Sequence, residues 1–337
     1  MREEKLPSAW KKANITPIHK GGDKTEPSNY RPVSLTSVPC KIMESLVIDK
    51  VKEHLDKLNV PNDVQHGFVS GRSCLTNLLI SLEDWTKAVD DQLSVDVIYL
   101  DISKAFDTVP HQRLINKMRW YGLEGNILGW LSDFLLDRVM RVNLKGEKSS
   151  WCDVTSSVPQ GSVGGPTQFC IYINDMSENI KSKIIQFADD TKMWGIIANE
   201  EDRDALQMDL DTLAEWSNKW LLKFNPLKCK VLHLGSGNQN YEYTMKDQNG
   251  IRTVLGETTL EKDLGVLISK DLKVADQCNK AAKKAMRVLG MVKRSFKNLD
   301  EESLKTIYCS YIRPHLEYCI QAWSPYYRKD IQTLEKV

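Results

Sequence analysis

Phe187-Ala188-Asp189-Asp190-Thr191 follows the apolar pair Ile184-Ile185 and precedes Lys192-Met193-Trp194-Gly195-Ile196-Ile197. Two short strand-like runs joined through an acidic pair predict a β-hairpin with both carboxylates at or near its turn. Carboxylates crowded at a turn repel each other unless a cation sits between them, and hard oxygen ligands suit Mg²⁺. Taken alone, the pair reads more readily as a solvated turn, because Asp is a common turn residue. Asp90-Asp91 is a second acidic pair, and nothing near it suggests chemistry. The case for chemistry therefore rests on the rest of the chain.

Upstream, residues 94–101 form a β-branched and apolar run ending on Asp101, at the carboxyl end of a strand. Helical patterns follow at 111–121 and 123–136, the second carrying Trp130 and Phe134. Val154 to Pro159 is strand-like, and a helix is expected from Pro166 to Met176. After the hairpin, a helix from Asp202 to Leu222 and a strand from Cys229 to Leu234 complete the series. Strand, helices, hairpin, helix, strand is the β-α-β-β-α-β split arrangement, so an α+β fold is expected. In that topology the first strand lies beside the hairpin at the sheet centre, which brings Asp101 next to Asp189 and Asp190. Three carboxylates from separate segments converge, and the solvated-turn reading weakens.

On the amino-terminal side, residues 1–40 are polar and broken by Pro7, Pro17, Pro27, Pro32 and Pro39, which predicts extended strand and loop with turns at 20–23 and 27–29. A helix from Lys41 to Leu58 would bury Ile42, Leu46, Val47, Val51 and Leu55, and another from Leu75 to Val89 would pack Leu78, Leu79, Leu82 and Trp85. Beyond 235, a polar loop or small hairpin precedes a strand at Leu264 to Ile268. A last helix places Lys280, Lys283, Lys284, Arg287 and Arg294 on one face and Ala285, Val288, Leu289, Val292 and Phe296 on another. Residues 280–297 also carry Lys293 and Lys297 and contain no acid. An unmixed basic face suits phosphate contact as well as it suits solvent.

Composition bounds the partners. At 337 residues the chain can hold about two domains or one multi-lobed unit. Apolar content of 41% and charged content of 27% match ordinary soluble globular proteins. A net charge of +1 means that any nucleic-acid role needs a local basic face. The 8 cysteines are scattered singly, which argues against a zinc ribbon or a disulfide framework. No apolar stretch follows Met1 to Lys5, and no run approaches the ~20 apolar residues of a membrane span. An intracellular protein of nucleus or cytoplasm, not secreted and not membrane-bound, is expected. The histidines show no ligand spacing.

Several stretches together resemble the reverse transcriptase of non-LTR retrotransposons (LINE elements of the jockey-like and chicken-repeat-1-like groups). They are SNYRPVSLTSVP at 28–39, LDISKAFDTV at 100–109, VPQGS at 158–162, IYIND at 171–175 and FADDT at 187–191. KDLGV at 262–266, RPHLEYC at 313–319 and QAWSP at 321–325 continue the series in order over nearly the whole chain. The resemblance implies a right-hand polymerase: fingers at 1–93, a ferredoxin-like palm at 94–235, a connector and primer-grip region at 236–270, and a helical thumb with a truncated C-terminal segment at 271–337. It implies RNA-directed DNA polymerase activity, with an RNA template, a DNA primer and deoxynucleoside triphosphates as partners. Two Mg²⁺ ions, about 3.5–4 Å apart in such sites, would stabilise the attacking and leaving oxygens.

Residue by residue, the resemblance makes Asp101, Asp189 and Asp190 the catalytic metal ligands. Phe106 matches the aromatic that excludes ribonucleotides by crowding the sugar 2′ carbon, with a plain core Phe as the competing reading. Gln160 and Gly161 match the residues that seat the incoming nucleotide, and glycine permits close backbone approach there. Arg31 and Lys41 match triphosphate-binding positions of the fingers, where Arg suits forked phosphate contact. Lys41 reads equally as an exposed helix lysine. Lys228 matches a lysine that protonates the leaving pyrophosphate, with a surface lysine as the alternative. The basic face of Lys280, Lys283, Lys284, Arg287 and Arg294 would contact nucleic acid.

The chain departs from the family after Gly161-Ser162, where an apolar run is usual and Gly164, Thr167 and Gln168 stand instead; Ser157 replaces a usual glycine. A helical Gly costs about 1 kcal/mol relative to Ala, and a buried amide without partners roughly 1–3 kcal/mol. Against a total stability of about 5–15 kcal/mol, these changes would loosen the nucleotide pocket without unfolding the palm. With no segment resembling an endonuclease, RNase H or zinc knuckle, the expected object is a truncated element copy. The alternative is a catalytically inactive remnant that retains at most RNA binding.

Overall fold

The computed structural model describes residues 5–247, 249–296, 298 and 300–337, so Met1 to Glu4 and Lys297 lie outside the described residues. In chain order the principal elements begin with β1 (Lys12–His19), β2 (Tyr30–Leu35), α1 (Val38–Asp56), α2 (Cys74–Asp90) and β3 (Val95–Leu100). They continue with α3 (His111–Trp120), α4 (Gly125–Leu135), β4 (Arg138–Leu144), α5 (Gly165–Ile173), β5 (Lys183–Phe187), β6 (Asp190–Ile196), α6 (Glu200–Trp220) and β7 (Lys230–Leu234). The last are β8 (Gly256–Thr258), β9 (Leu260–Asp263), β10 (Val266–Ser269), α7 (Ala275–Ser295) and α8 (Arg328–Glu335).

The central sheet runs β8-β7-β3-β6-β5. β3 lies between β7 and β6, antiparallel to both, with Leu100 opposite Thr191 and Val95 opposite Ile196. That is the expected split β-α-β-β-α-β order, extended by the parallel edge strand β8. β3 alternates between two cores. Val95 and Val97 pack with Leu78 and Trp85 of α2 and with Val266 and Ile268 of β10. Ile98 and Leu100 join the larger core beneath the helices that follow, with Leu114, Leu131, Phe169 and Leu210. Both faces of β3 are thus covered, which accounts for its near-continuous apolar run.

Local signals hold the helices. Ser73 and Thr76 form a reciprocal capping box ahead of α2. Asn199 accepts from the Asp202 N–H at the start of α6, whose first turn carries Glu200, Glu201 and Asp202. Lys117 of α3 is buried against Asp175 at 2.5 Å, over the Trp220 ring at 3.7 Å, and so ties α3 to α6. A second sheet, β2-β1-β4, stands on the amino-terminal side; β1 pairs antiparallel with β2 and parallel with β4.

Several expectations are corrected. On α1, Ile42 and Leu46 are exposed, and the buried stripe is Cys40, Glu44, Val47, Ile48, Val51 and Leu55. Leu79 on α2 is also partly exposed. Of residues 154–159 only Val154 is strand, as the last residue of Cys152–Val154; Ser156 makes an isolated bridge with Pro110, and Ser157 then takes a positive φ of 110° that no pleat accommodates. Leu264 and Gly265 form the β9–β10 turn, with φ of 44° and 93°, and the strand is Val266–Ser269. Residues 138–144, which carry no sequence-based assignment, form β4. On α7, Phe296 is half exposed while Ala281, Ala282 and Ala285 are buried. Gly164 stands at the N-cap of α5 rather than inside the helix, so the cost of a mid-helix glycine does not arise. Among the described residues, no helix is long and apolar enough to cross a membrane.

Candidate active site

β5 and β6 are joined by the two-residue loop Ala188-Asp189, with Phe187 paired to Asp190. Ala188 adopts a left-handed φ of 55°, and its N–H donates to Gln65 Oε1 at 2.8 Å. The same oxygen accepts from Gly67 N at 2.7 Å. A Cβ added to Gly67 would lie 2.3 Å from Ala188 N, so no side chain fits there. The turn is thus clamped from outside by residues 65–67.

Asp101 follows β3 directly. Its N–H donates to Cys229 Sγ at 3.5 Å, and its carbonyl accepts from Asn225 N at 2.8 Å. With Leu100 opposite Thr191, this end of β3 is set beside the acidic turn. Asp101, Asp189 and Asp190 all line one open cleft of about 480 Å³, together with Arg31, Phe106, Gln160, Gly161 and Lys228. Lys41 is not among its lining residues.

Burial raises the Asp101 carboxyl, partly offset by Lys228 and Lys20. Burial also raises Asp189, and the Asp101 charge adds to it against an opposing backbone hydrogen bond, Arg31 and Lys20. Asp190 is pushed up to about 6, first by the protein packed around its carboxyl, then by Asp189, Asp263 and Asp101. One edge of Asp190 remains open to solvent. Asp101 Oδ1 is buried without a hydrogen-bond partner, and its nearest cation, Lys228 Nζ, is 3.9 Å away. A crowded set of hard carboxylate oxygens, one of them orphaned, fits a divalent cation. Among the described residues no three His, Cys, Asp or Glu side chains stand close enough to hold a metal by themselves. An ion here would complete its shell with oxygens from outside the chain, as Mg²⁺ commonly does.

Phe106 is stacked on Phe169 at 4.3 Å and meets Phe68 edge-on at 6.3 Å, which fixes its ring at the cleft. Gln160 donates from Nε2 to Asp107 Oδ1 at 3.2 Å, and its carbonyl accepts from Ser34 N at 2.7 Å. Gly161 has φ 106°, and a Cβ there would lie 2.8 Å from Ser34 O. The cleft also takes in Lys20, Phe68, Lys104 and Asp107, which the sequence reading left without a role. Lys20 opens the Lys20-Gly21-Gly22-Asp23 turn between β1 and β2, and a basic residue beside a Gly-Gly turn was an available signal.

Behind the acidic turn lies a smaller cavity of about 140 Å³, lined by Asp190, Lys192, Lys228, Glu261 and Asp263 among others. Lys192 and Asp263 form a buried ion pair there, joining β6 to the β9–β10 hairpin. On α7, Lys283, Lys284, Arg287 and Arg294 are exposed. Lys280 turns inward instead, donating to Gly265 O at 2.7 Å, and burial lowers its pKa.

The model of the family described as reverse transcriptase (RNA-dependent DNA polymerase) matches residues 18–293. The chain is 27% identical over 344 residues to a probable RNA-directed DNA polymerase from transposon BS of Drosophila melanogaster, covering 96% of this chain and 37% of the relative. It is 31% identical over 237 residues to the RNA-directed DNA polymerase from mobile element jockey of the same fly, covering 66% of this chain and 25% of that protein. The chain thus spans between a quarter and little more than a third of the length of these relatives. Among solved structures, apo telomerase of Candida tropicalis superposes with a TM-score of 0.57 at 12% identity, over 98% of this chain and 60% of that one. At that identity the likeness speaks for the fold alone.

Proposed function

We propose a function from one premise: the chain belongs to the reverse transcriptase (RNA-dependent DNA polymerase) family, and within it to the enzymes of non-LTR retrotransposons. The function is RNA-templated extension of a DNA primer 3′-OH by deoxynucleoside triphosphates. The observation that carries it is the shared cleft of Asp101, Asp189 and Asp190 with Phe106, Gln160 and Gly161.

In this reading residues 1–93 act as fingers, 94–235 as palm, 236–270 as connector and primer grip, and 271–337 as thumb. Asp101, Asp189 and Asp190 hold the catalytic Mg²⁺ ions, two in the full scheme. When bound, such ions activate the attacking hydroxyl and neutralise the leaving phosphates. The remaining work belongs to side chains and backbone. Arg31, Lys20 and Lys104 bind the triphosphate, Arg31 by its forked donors. Gly161 lets the backbone approach the nucleotide, and the stacked Phe106 ring excludes a 2′-hydroxyl. Lys228, exposed at the cleft, gives its proton to the departing pyrophosphate. Lys41, one turn into α1, serves the phosphates only if the fingers close on the palm. Lys283, Lys284, Arg287 and Arg294 contact the backbone of the duplex, an interaction that weakens with salt.

A second reading, an inactive remnant that at most binds RNA, is favoured by one observation: Gln168 is buried with both amide atoms unpartnered beside the nucleotide loop. Primer extension on an RNA template with Mg²⁺ separates the two. Extension by wild type and none by Asp189→Asn supports the polymerase; binding without extension supports the remnant.

A further inference from the structure

Glu44 of α1 is fully buried, yet it lies outside every role assigned above. Its Oε2 accepts from the backbone N–H groups of Val163 at 2.8 Å and Gly164 at 3.0 Å. These stand at the start of α5, where a helix leaves N–H groups without internal partners. Gly164, the N-cap, has no side chain, and the next N–H, that of Gly165, donates to Ser162 Oγ at 3.0 Å, which leaves those of Val163 and Gly164 to another element. The Glu44 carboxylate meets them, at the helix end where negative charge is favoured. A Cβ on Gly164 would approach Ile48 Cδ1 to 3.1 Å, on the next turn of α1, and so crowd the contact between α1 and this loop.

Three residues before Val163 is Gln160, at the head of the proposed nucleotide loop. On its other side the loop is tied to β2, where Ser34 N donates to Gln160 O. Gly161 packs so closely on Ser34 O that it cannot carry a side chain. Both ties, Ser34 and Glu44, come from the continuous segment of β2 and α1, which also presents Arg31 to the cleft. The distance between Arg31 and the Gln160-Gly161 loop is thereby set from within one segment. If Glu44 lets go, α5 keeps its packing, but the loop ahead of it gains freedom toward the cleft.

We propose that Glu44 is a positioning residue for the nucleotide pocket, acting through the N–H groups of Val163 and Gly164 to hold the Gln160-Gly161 loop against the triphosphate-binding residues. The proposal deepens the polymerase reading and rests on it for the identity of the ligand.

Three variants test it. Glu44→Asp withdraws the carboxylate from both N–H groups. Gly164→Ala crowds the contact between α1 and the loop through Ile48, whose Cδ1 would lie 3.1 Å from the new Cβ, while leaving Glu44 intact. Glu44→Gln keeps an acceptor in place. The first two are expected to raise the KM for deoxynucleoside triphosphate about tenfold, the scale of a lost helix cap, with kcat and primer–template Kd little changed. Glu44→Gln recovers most of that loss. Hydrogen exchange of the Val163 and Gly164 amides rises in parallel in the first two variants and returns toward wild type in the third. Should Glu44→Asp fail to fold, Gly164→Ala decides the matter.

Unchanged amide exchange, or faster exchange with unchanged KM, overturns the proposal. A Glu44→Gln variant as impaired as Glu44→Asp overturns it too. Wild-type protein that extends no primer overturns the polymerase reading instead, and the exchange measurement still decides whether Glu44 holds the loop.

Discussion

The two sides of the cleft are built by opposite means. The acidic side stands on the central sheet, where Asp101 and the Asp189-Asp190 turn are placed by strand register and keep a regular backbone apart from Ala188. The side proposed to seat the nucleotide is a loop, residues 157–164, with positive φ at Ser157 and Gly161 and held by Ser34 and Glu44 from another part of the chain. A rigid sheet tolerates repelling carboxylates because its ladder bonds, not the carboxylates, hold their positions. A loop has no such reserve, so its polar groups must each find a partner or cost stability. Lesions on the first side should abolish chemistry and spare the fold. Lesions on the second should move stability and affinity.

The largest effect expected is on the acidic side. Asp189→Asn should lower primer extension by at least ~10³-fold, the scale of losing a group aimed at transition-state charge, with the thermal midpoint unchanged or raised. Extension within tenfold of wild type would break the contrast. Next is the pair under the turn, Lys192 and Asp263, exposed by only 4% and 6% at their side chains. Lys192→Met alone strands a buried carboxylate and should cost about 3–5 kcal/mol in urea unfolding; the double variant Lys192→Met/Asp263→Leu should recover most of it. If the double variant is no more stable than the single, the pair is not the bond between β6 and the β9–β10 hairpin.

On the loop side, and in the two helices that adjoin it, the expected effects are smaller, and the first two are of opposite sign. Gln168→Leu removes two unpartnered buried amide atoms and should stabilise the protein by about 1–3 kcal/mol. A loss of stability would mean that Gln168 has a partner. Ser157→Gly relieves a residue at φ 110° and should add about 1 kcal/mol by the same assay. The smallest effect is with pH. His111, whose Nε2 lies 2.9 Å from Ser157 O, is held below its usual range chiefly by burial. The unfolded chain takes up that proton first, so the stabilisation is full above about pH 6.5 and declines as pH falls below it. Stability of His111→Gln measured from pH 7 to pH 5 should fall less steeply than that of wild type.

The acidic side was legible in sequence because a period of 2, an acid at a strand end and a hairpin signal all point to one register. The strand order then followed from the succession of elements, and the structure has that order. The loop side was not legible, for physical reasons that differ by residue. Glu44 drew no reading from sequence, because an acid on a helix shows its role only once its backbone partners are known, although Cys40, Glu44, Val47, Val51 and Leu55 share one helical face and Ile42 and Leu46 lie off it. Lys280 reads as part of a basic stripe, and only the turn at Gly265 reveals that it faces inward. Leu264 reads as strand because its side chain is apolar, while its φ of 44° makes it a turn residue. Lys20 reaches the cleft from a turn, and Lys104 and Asp107 from the N-cap and body of the one-turn helix Ala105–Thr108, where no periodicity reports a direction.

The clamp on the acidic turn has a genetic consequence. Gly67 touches no proposed substrate, yet any side chain there would press on Ala188 N and displace the aspartates. A saturation screen scored on DNA synthesis should therefore rank Gly67 with Asp189. In copies of the element drifting without selection, a substitution at Gly67 would silence the proposed polymerase activity while every aspartate still reads as intact. An inventory of catalytic motifs alone would count such a copy as living.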